Sequence, residues 1–314
     1  MKAKDRFRSV EPANLDAAIE ALSPGETITC AIHPAEYHRR PEISSGFTRC
    51  MKSEGPLAAY SKYVARDSVD EDSESMKIGR LVHLALSQPD SWKDSVRIAP
   101  QCLEEGESLE SIRKAWSGRT KAKLQAGDEI DLRVPAHREW IASLAGDPSV
   151  SLVSQGDFDT VCGIAQSVGE NPATAVLVNS QEIDREVVGF RRDEKTGLVL
   201  KSMADCLLLD ESLVVDYKTS SLQTAEKFIR HAIREWGIGV QLAHYARVFQ
   251  VENAAVVYLR NQKPWEAIWL SMPEWGMRES AAVLDWSLRK ILECRELGSW
   301  RSDSWGFRAS LVLE

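Results

Sequence analysis

The pattern of apolar and polar residues changes near residue 182, where strand-like segments separated by short turns replace long helical ones. The predicted strands are 182–192, 198–209, 213–218, 254–260 and 265–270, and the predicted helices that accompany them are 222–236, 240–250 and 273–297. The turn at 193–197 ends in Gly197, which suits the positive φ of a hairpin turn. Strands followed by interleaved helices predict an α/β or α+β fold with a central mixed sheet flanked by helices.

The first half of the chain predicts helices. The predicted helical segments are 76–88, 134–152 and 157–178, together with two shorter helices on either side of the break at Gly55-Pro56. Ser44 or Ser45 can cap the first of the shorter helices, because a side-chain oxygen at that position accepts a hydrogen bond from a free backbone N–H. The acidic, serine-rich segment 67–75 is predicted to be a solvated loop.

These patterns suggest a simple division of the chain. Residues 1–36 are expected to be a weakly ordered extension, and residues 37–314 a single domain. That domain would have a helical N-terminal part at 37–180 and a sheet core at 181–314. The whole chain has 314 residues, 43% of which are hydrophobic, and this is enough to enclose a sizeable core.

The overall charge limits the kinds of partner. A net charge of −8 and a pI near 5.5 argue against a basic surface covering the whole molecule. A local basic groove can still coexist with acidic outer faces, and carboxylates that bind a divalent cation also count as negative. The composition therefore leaves nucleic acid open as a partner.

The cysteines and the apolar segments indicate a cytoplasmic protein. The six cysteines form no C-x-x-C pair and are expected to be reduced thiols. The basic N-terminus lacks the apolar run of a signal peptide, and no window approaches 18 uninterrupted apolar residues. We therefore expect no membrane span and a soluble, cytoplasmic location.

Candidate chemistry lies at the end of the third predicted strand. Asp216 and Lys218 are two residues apart, so their side chains point to the same face of the sheet, and Asp205 lies on the neighbouring strand. Two carboxylates can share a hard divalent cation, and a lysine beside them can orient a water or stabilise charge on a phosphoryl oxygen. The alternative is a surface ion pair, because D-x-K is a common sequence. Glu186 on the first strand adds a third carboxylate.

Several motifs together resemble a known family. Asp205…Asp216-Tyr217-Lys218 is similar to the signature of the PD-(D/E)XK nuclease superfamily. Within that superfamily the chain resembles the nuclease domain of RecE, exonuclease VIII, through motifs in the same order over residues 37–250. The matching segments are Tyr37-His38…Ile43-Ser44-Ser45, Gly79-x-x-x-His83, Glu186-x-x-x-Phe190, the signature itself and Gln241-x-x-x-Tyr245.

The resemblance implies roles for individual residues. His83, Asp205, Asp216 and the carbonyl of Tyr217 would bind Mg²⁺ or Mn²⁺. Lys218 would assist the attacking water, and Glu186 would be a ligand or a structural partner. Gln241 and Tyr245 would contact the scissile region or the DNA backbone, whereas ordinary helix packing is the alternative for this pair.

The resemblance also implies a substrate and partners. We expect an exonuclease that digests linear double-stranded DNA from the 5′ end, in recombination with a single-strand annealing protein, and that assembles into a ring-shaped oligomer such as a tetramer. The candidate DNA contacts are Arg80, Lys201, Lys227, Arg230, Arg234 and Arg247, although a merely solvated face is the alternative.

Two other functions remain open. One is a single-strand nuclease like the iron–sulfur CRISPR-associated relatives. Only Cys294 lies near the C-terminus, so no iron–sulfur cluster is expected. The other is a non-catalytic DNA-binding or assembly subunit, which predicts that the metal-binding residues are lost.

Overall fold

The computed structural model describes residues 2–67, 74–116, 124–131, 134–145 and 150–301. The strands are β1 (Arg8–Val10), β2 (Thr27–Cys30), β3 (Val96–Ile98), β4 (Ser151–Val153), β5 (Asp184–Arg192), β6 (Val199–Leu208), β7 (Leu213–Ser220), β8 (Asn253–Arg260) and β9 (Ala267–Ser271). Seven of them form the main sheet in the order β1-β2-β5-β6-β7-β8-β9, and β3 and β4 form a separate pair.

The main sheet is mixed. Strands β5, β6 and β7 are antiparallel neighbours, β7 and β8 are parallel, and β8 and β9 are antiparallel. The crossover between the parallel strands β7 and β8 contains two helices. The predicted fold class, a central mixed sheet flanked by helices, is confirmed.

Helices cover both faces of this sheet. They are α1 (Ala3–Arg6), α2 (Leu15–Glu20), α3 (Pro34–Arg39), α4 (Ser45–Ser53), α5 (Pro56–Tyr60), α6 (Glu74–Ser87), α7 (Glu107–Trp116), α8 (Pro135–Ala145), α9 (Gln155–Glu170), α10 (Val176–Asn179), α11 (Ala225–Arg234), α12 (Ile238–Phe249) and α13 (Glu274–Leu297). One apolar cluster joins the sheet to α4, α12 and α13, and a second joins the opposite face to α6 and α9. Helices α7 and α8 instead pack with each other in a separate cluster that contains Leu109, Ile112, Ala136 and Trp140.

The strands and turns after residue 182 lie close to their predicted positions. Gly197 has the expected positive φ of 69°. The helix after β7 begins later than predicted, because β7 continues through Ser220 in its pairing with β8. Thr224 caps α11 by accepting a hydrogen bond from the Lys227 backbone N–H at 3.2 Å.

Residues 2–36 are folded, which contradicts the expectation of weak order. Strand β2 pairs with β5 and extends the main sheet, and β1 then pairs with β2. Leu15, Ile19 and Ile28 are buried in a cluster with Phe190. The apolar spacing of this segment is short and interrupted, and its burial depends on a strand that lies far away in sequence. The proposed boundary at residue 36 stays a prediction.

The structure differs from one helical prediction in the first half of the chain. The segment 134–152 was predicted to be helical with an interruption at Pro148, which lies outside the described residues. Helix α8 ends at Ala145, and residues 151–153 form β4, which pairs in parallel with β3. Ser44 caps α4 as predicted, by accepting a hydrogen bond from the Phe47 N–H. Most of the predicted loop at 67–75 lies outside the described residues. None of the described helices has the length and apolar character needed to cross a membrane.

Candidate active site

The candidate site lies where β6 and β7 separate. The two strands pair along three residues, with Cys206 opposite Val215 at the last pair, whereas β7 continues to Ser220 beside β8. Beyond this pair a side chain replaces the missing strand partner, because Asp205 Oδ2 accepts a hydrogen bond from the Tyr217 backbone N–H at 2.6 Å. The strand separation therefore leaves a gap in the sheet, into which the Asp205 carboxylate reaches.

Helix α6 brings His83 to the same gap. His83 Nδ1 lies 3.1 Å from Asp205 Oδ1, and its Nε2 lies 3.2 Å from the carbonyl oxygen of Tyr217. Both neighbours accept hydrogen bonds, so in this arrangement both ring nitrogens donate and the imidazole is cationic. Binding a metal through His83 requires the loss of one of these protons.

Asp216, which directly precedes Tyr217 in β7, completes the group. Its side chain is 1% exposed, and Oδ2 lies 2.5 Å from the Lys218 ammonium. Oδ1 accepts a hydrogen bond from Gln241 Nε2 at 3.0 Å, and the same amide nitrogen lies 2.8 Å from the Tyr245 hydroxyl oxygen. We call His83, Asp205, Asp216 and Lys218 the carboxylate centre.

The two carboxylates of this centre differ in acidity. Burial and the nearby Asp205 charge raise the pKa of Asp216 above its ordinary value, despite the opposing effect of Lys218. Burial also acts to raise the pKa of Asp205, but the His83 charge and hydrogen bond, with Lys218, outweigh it and the net pKa is lowered. Two buried carboxylates this close cannot both ionise easily without a cation between them.

The histidine responds in the opposite sense. Burial lowers the pKa of His83, but the charge of Asp205 and its hydrogen bond to the ring more than compensate, so the net pKa is raised. The proton on His83 thus supplies positive charge to the centre. A divalent cation beside the same carboxylate would remove the need for that proton.

The donors suit a hard divalent cation in kind. Carboxylates, an imidazole and a backbone carbonyl are suitable ligands. Asp216 Oδ2 and Gln241 Oε1 are buried and have no hydrogen-bond partner among the described residues, although Asp216 Oδ2 faces the Lys218 ammonium. No three His, Cys, Asp or Glu side chains in the described part of the chain are arranged as ready ligands. His83 and Lys218 would therefore have to yield contacts to a metal.

Glu186 lies beside the centre but faces α6. Its Oε1 accepts a hydrogen bond from Ser87 Oγ at 3.0 Å, one helical turn after His83. Its backbone has a φ of 51°, in the left-handed region that a glutamate rarely adopts. Its predicted role as a ligand or structural partner stays a prediction.

The candidate DNA contacts lie in different places. Arg80 is exposed on α6, and Lys227 and Arg230 are exposed on α11, where Arg230 pairs with Glu226 at 3.1 Å. Lys201 is 4% exposed. The side chain of Arg234 lies outside the described residues.

Lys201 and Arg247 have partners within the fold. The Lys201 ammonium donates to the carbonyls of Tyr37 and Arg40, both at 2.7 Å. Arg247 forms ion pairs with Asp193 and Asp285. The side chains of Lys201 and Arg247 therefore do not lie in an open groove as DNA contacts would. Their partners come from distant parts of the chain, so the sequence does not reveal them.

A basic pocket that includes Lys201 was not foreseen from the sequence. It encloses about 310 Å³, and its lining includes Arg40, Lys62, Arg66 and Lys201, with Glu42 as the one carboxylate among the described residues of its wall. Burial, with the charges of Arg66 and Arg40, lowers the pKa of Lys201 to about 8, against the opposing effect of Glu42. Only the tyrosine–histidine motif at 37–38 could have pointed to it.

Comparison with known proteins gives one informative likeness. No family model matches the chain, and no curated protein matches it. A solved structure from Eubacterium rectale, of a protein provisionally assigned as an exonuclease, is 11% identical over 90% of this chain and 96% of its own, with a TM-score of 0.52. At this identity the likeness shows the fold alone. The protein SSO0001 is 16% identical over 74% of this chain and 93% of its own, but its TM-score of 0.28 is too low to indicate a common fold.

Proposed function

We propose that this chain is a metal-dependent nuclease that hydrolyses phosphodiester bonds of DNA at the carboxylate centre. The observation that carries the proposal is the convergence of Asp205, Asp216 and Lys218 at the gap between β6 and β7. Buried carboxylates with opposed pKa shifts are typical of functional sites, because such an arrangement costs stability. The Eubacterium rectale protein, provisionally an exonuclease, supports the same activity class through its fold.

The residues of the centre suit this chemistry. Asp205, Asp216, His83 and the Tyr217 carbonyl would hold Mg²⁺ or Mn²⁺, which would supply charge neutralisation and an acidified water for phosphodiester hydrolysis. Lys218, two residues from Asp216 and on the same face, would orient the water or stabilise charge on a phosphoryl oxygen. Gln241 donates to Asp216 and so fixes the orientation of that carboxylate.

The surroundings also suit a polyanion. The basic pocket lies beside the segment that carries Tyr37, and the Tyr37 hydroxyl lies 3.5 Å from the Lys201 carbonyl oxygen. Arg80, Lys227 and Arg230 are exposed on helices next to the sheet. Positive side chains that contact phosphates would make binding weaken steeply with salt.

The finer parts of the proposal come from the resemblance to RecE. They are an exonuclease activity that digests linear double-stranded DNA from the 5′ end, a role in recombination with a single-strand annealing protein, and a ring-shaped oligomer such as a tetramer. A cytoplasmic location belongs to the same proposal.

The test is incubation with duplex DNA and Mg²⁺. Linear duplexes labelled at either end, and a covalently closed circle, are compared for wild type and Asp216→Ala, with Glu274→Ala as a control at an exposed carboxylate. We expect metal-dependent loss of the linear substrates with wild type and Glu274→Ala, and none with Asp216→Ala. Equal degradation by wild type and Asp216→Ala, or none by wild type, would contradict the proposal. Order of label release gives the polarity, and cleavage of the circle would replace exonuclease with endonuclease.

A further inference from the structure

The last strand of the main sheet, β9, has an open edge. Strand β8 lies on one side of β9, and no described strand lies on the other. The Arg260 N–H donates to the Glu266 carbonyl, at one end of the pairing with β8. The Met272 N–H donates to the Ala254 carbonyl at the other end. Because bonded and non-bonded positions alternate in an antiparallel pair, the even-numbered residues of β9 bond to β8 and the odd-numbered ones direct their N–H and C=O outward.

These outward groups include two residues with unpaired backbone. The Ala267 carbonyl accepts a hydrogen bond from Asn171 Nδ2 at 2.6 Å, which agrees with its outward direction. No described residue bonds to the backbone N–H or C=O of Trp269 or Ser271. An open edge of this kind pairs readily with another strand, and folded proteins usually cover or block it. Trp269 and Ser271 therefore offer their main-chain groups to an added strand.

An apolar groove of about 730 Å³ lies beside this edge, on the sheet face that α12 covers. Its lining includes the buried side chains of Phe228 and Val256, together with Leu270 of β9. Two further lining residues, Trp236 and Trp275, are 38% and 57% exposed. An added strand that directed apolar side chains to this face would place them in the groove.

The charges of the groove walls do not select a polyanion. Arg49 and Lys52 lie on the wall that α4 forms, and the lining also includes the carboxylates Glu235 and Glu279. Arg49 already donates to the Trp236 carbonyl at 3.1 Å. Cations that are matched by carboxylates give little attraction for phosphates. The groove therefore suits a largely apolar peptide better than a nucleic acid.

The sequence that follows the described residues has the pattern of a half-buried strand. From 305 to 313, every odd-numbered residue is apolar, namely Trp305, Phe307, Ala309, Leu311 and Leu313. The residues between them are Gly306, Arg308, Ser310 and Val312. This alternation places the odd-numbered side chains on one face of an extended strand, whereas a helix would spread them around its axis.

The length of this sequence lets it reach the groove and β9 of the same chain. Trp300 stacks on Phe47 of α4, with ring centroids 5.9 Å apart, and Arg49 of the same helix lines the groove. Helix α13 separates β9 from Trp300 along the chain and is about 36 Å long. The segment 302–314, when extended, spans about 45 Å. That span exceeds the length of α13.

We propose that residues 305–313 lie along the groove of their own chain, with their odd-numbered side chains in it, and add a strand to the open edge of β9. The segment enters from the α4 side and meets β9 with its later residues. Its main chain pairs with Trp269 and Ser271, and its apolar face covers Trp236 and Trp275. Strand addition of this kind takes its affinity from main-chain hydrogen bonds and its specificity from alternate side chains. The proposal is independent of the nuclease function.

Amide hydrogen exchange in the chain 1–314, followed by NMR, tests the proposal. The readout is exchange at the Trp269 and Ser271 amides, whose N–H groups are bonded only if a strand is added. Leu311→Asp and Phe307→Asp each place a carboxylate on the face that enters the groove. Ser310→Asp is the matched control, because it places the same charge on the opposite face of the segment.

The expected pattern depends on the face that is changed. In wild type and Ser310→Asp, both amides should exchange about 10²-fold more slowly than in an unfolded chain. In Leu311→Asp and Phe307→Asp that protection should be lost, while the β8 amides stay protected in all four proteins. Fast exchange of both amides in wild type would overturn the proposal. So would equal protection in all four proteins, or a loss in Ser310→Asp as large as in Leu311→Asp.

A mixing experiment tests whether the segment binds its own chain. Isotope-labelled Leu311→Asp, with an intact edge, is mixed with an excess of unlabelled Ser271→Pro, which has an intact segment. Proline at position 271 removes an outward N–H and leaves the bonds to β8 in place. Protection of the labelled edge should remain lost. Its return would show that the segment adds to a second copy and would overturn the same-chain assignment. If Ser271→Pro did not fold, unlabelled wild type would take its place.

Discussion

Helix α12 contacts two groups of carboxylates that differ in how their charge is balanced. Near its start, Gln241 contacts the carboxylate centre. Near its end, Arg247 binds both Asp193 and Asp285, and Lys195 also binds Asp285 at 2.5 Å. We call Asp193, Lys195, Arg247 and Asp285 the balanced cluster, because its two carboxylates face two cations that stay charged at neutral pH.

The pKa shifts express this difference. Burial acts to raise the pKa of Asp285, but its hydrogen bonds to Lys195 and Arg247 prevail and the net pKa is lowered. The pKa of Asp216 is raised instead, and the second positive charge of its centre depends on a proton on His83. In the balanced cluster, the carboxylate charges face two cations that stay charged at neutral pH. In the carboxylate centre, the second positive charge is present only while His83 is protonated. The second arrangement is the one that can exchange its partners for a metal.

The largest expected difference concerns the two lysines. Lys218→Gln should lower DNA hydrolysis by about 10²- to 10⁴-fold, as for loss of a group that moves a proton or stabilises charge. Lys195→Gln removes the lysine–aspartate pair of the balanced cluster, which is more exposed than the Lys218–Asp216 pair, and should leave the rate unchanged. Initial rates on labelled linear duplex are the measurement. Similar losses in both variants would mean that the lysines act only through stability.

Sequence patterns predicted the strands after residue 182 well, because β5, β6 and β7 are neighbours in both sequence and space. The pairing of β2 with β5 could not be foreseen, since it joins residues 27–30 to a strand more than 150 positions away. The aspartates, Lys218 and His83 were identified as a group from their motifs, and the structure brings them together.

The details of the site were less predictable. The ion pairs of Arg247 and the burial of Lys201 depend on tertiary contacts. The positive φ of Glu186 could not be foreseen from the sequence, because glutamate rarely adopts this conformation.

A substitution in the balanced cluster should lower the free energy of unfolding and leave the nuclease rate unchanged. Arg247→Met leaves Asp193 and Asp285 without their shared cation and should lower the free energy of unfolding by about 3 kcal/mol, as for a broken buried ion pair. The nuclease rate per folded molecule should not change. Urea denaturation and activity of the same samples test this together. A loss below about 0.5 kcal/mol would show that the balanced cluster contributes little.

The helix between the clusters predicts a pH effect. Burial, aided by Arg247, lowers the pKa of His244 to about 4, although its hydrogen bond to the Lys201 carbonyl acts the other way. The unfolded chain binds this proton below about pH 6.5 and the folded chain does not, so stability is complete above pH 6.5 and falls as the pH drops toward 4.

The loss across that window should reach at most about 3 kcal/mol. His244→Gln keeps an N–H donor for the carbonyl and has no ring to titrate. Between pH 7 and 4, the free energy of unfolding should therefore fall more for wild type than for this variant. A constant difference would mean that His244 titrates alike in the folded and unfolded states.

The smallest expected effect is a gain. Because the pKa of Asp216 is raised, its charged form destabilises the metal-free protein, so Asp216→Asn should raise the free energy of unfolding by about 1 kcal/mol. Asp285→Asn should lower it. Paired urea denaturation curves without divalent metal check the two signs, and destabilisation by both substitutions would remove the proposed contrast.

The central claim is that the conditionally balanced carboxylates form a metal centre, and calorimetric titration with Mn²⁺ tests it most directly. Wild type, Asp216→Asn and Asp285→Asn are titrated at neutral pH, where each is folded. The account predicts saturable binding with proton release by wild type and Asp285→Asn, and binding at least about tenfold weaker by Asp216→Asn. Equal Mn²⁺ affinity in all three proteins, or no binding by wild type, would contradict it.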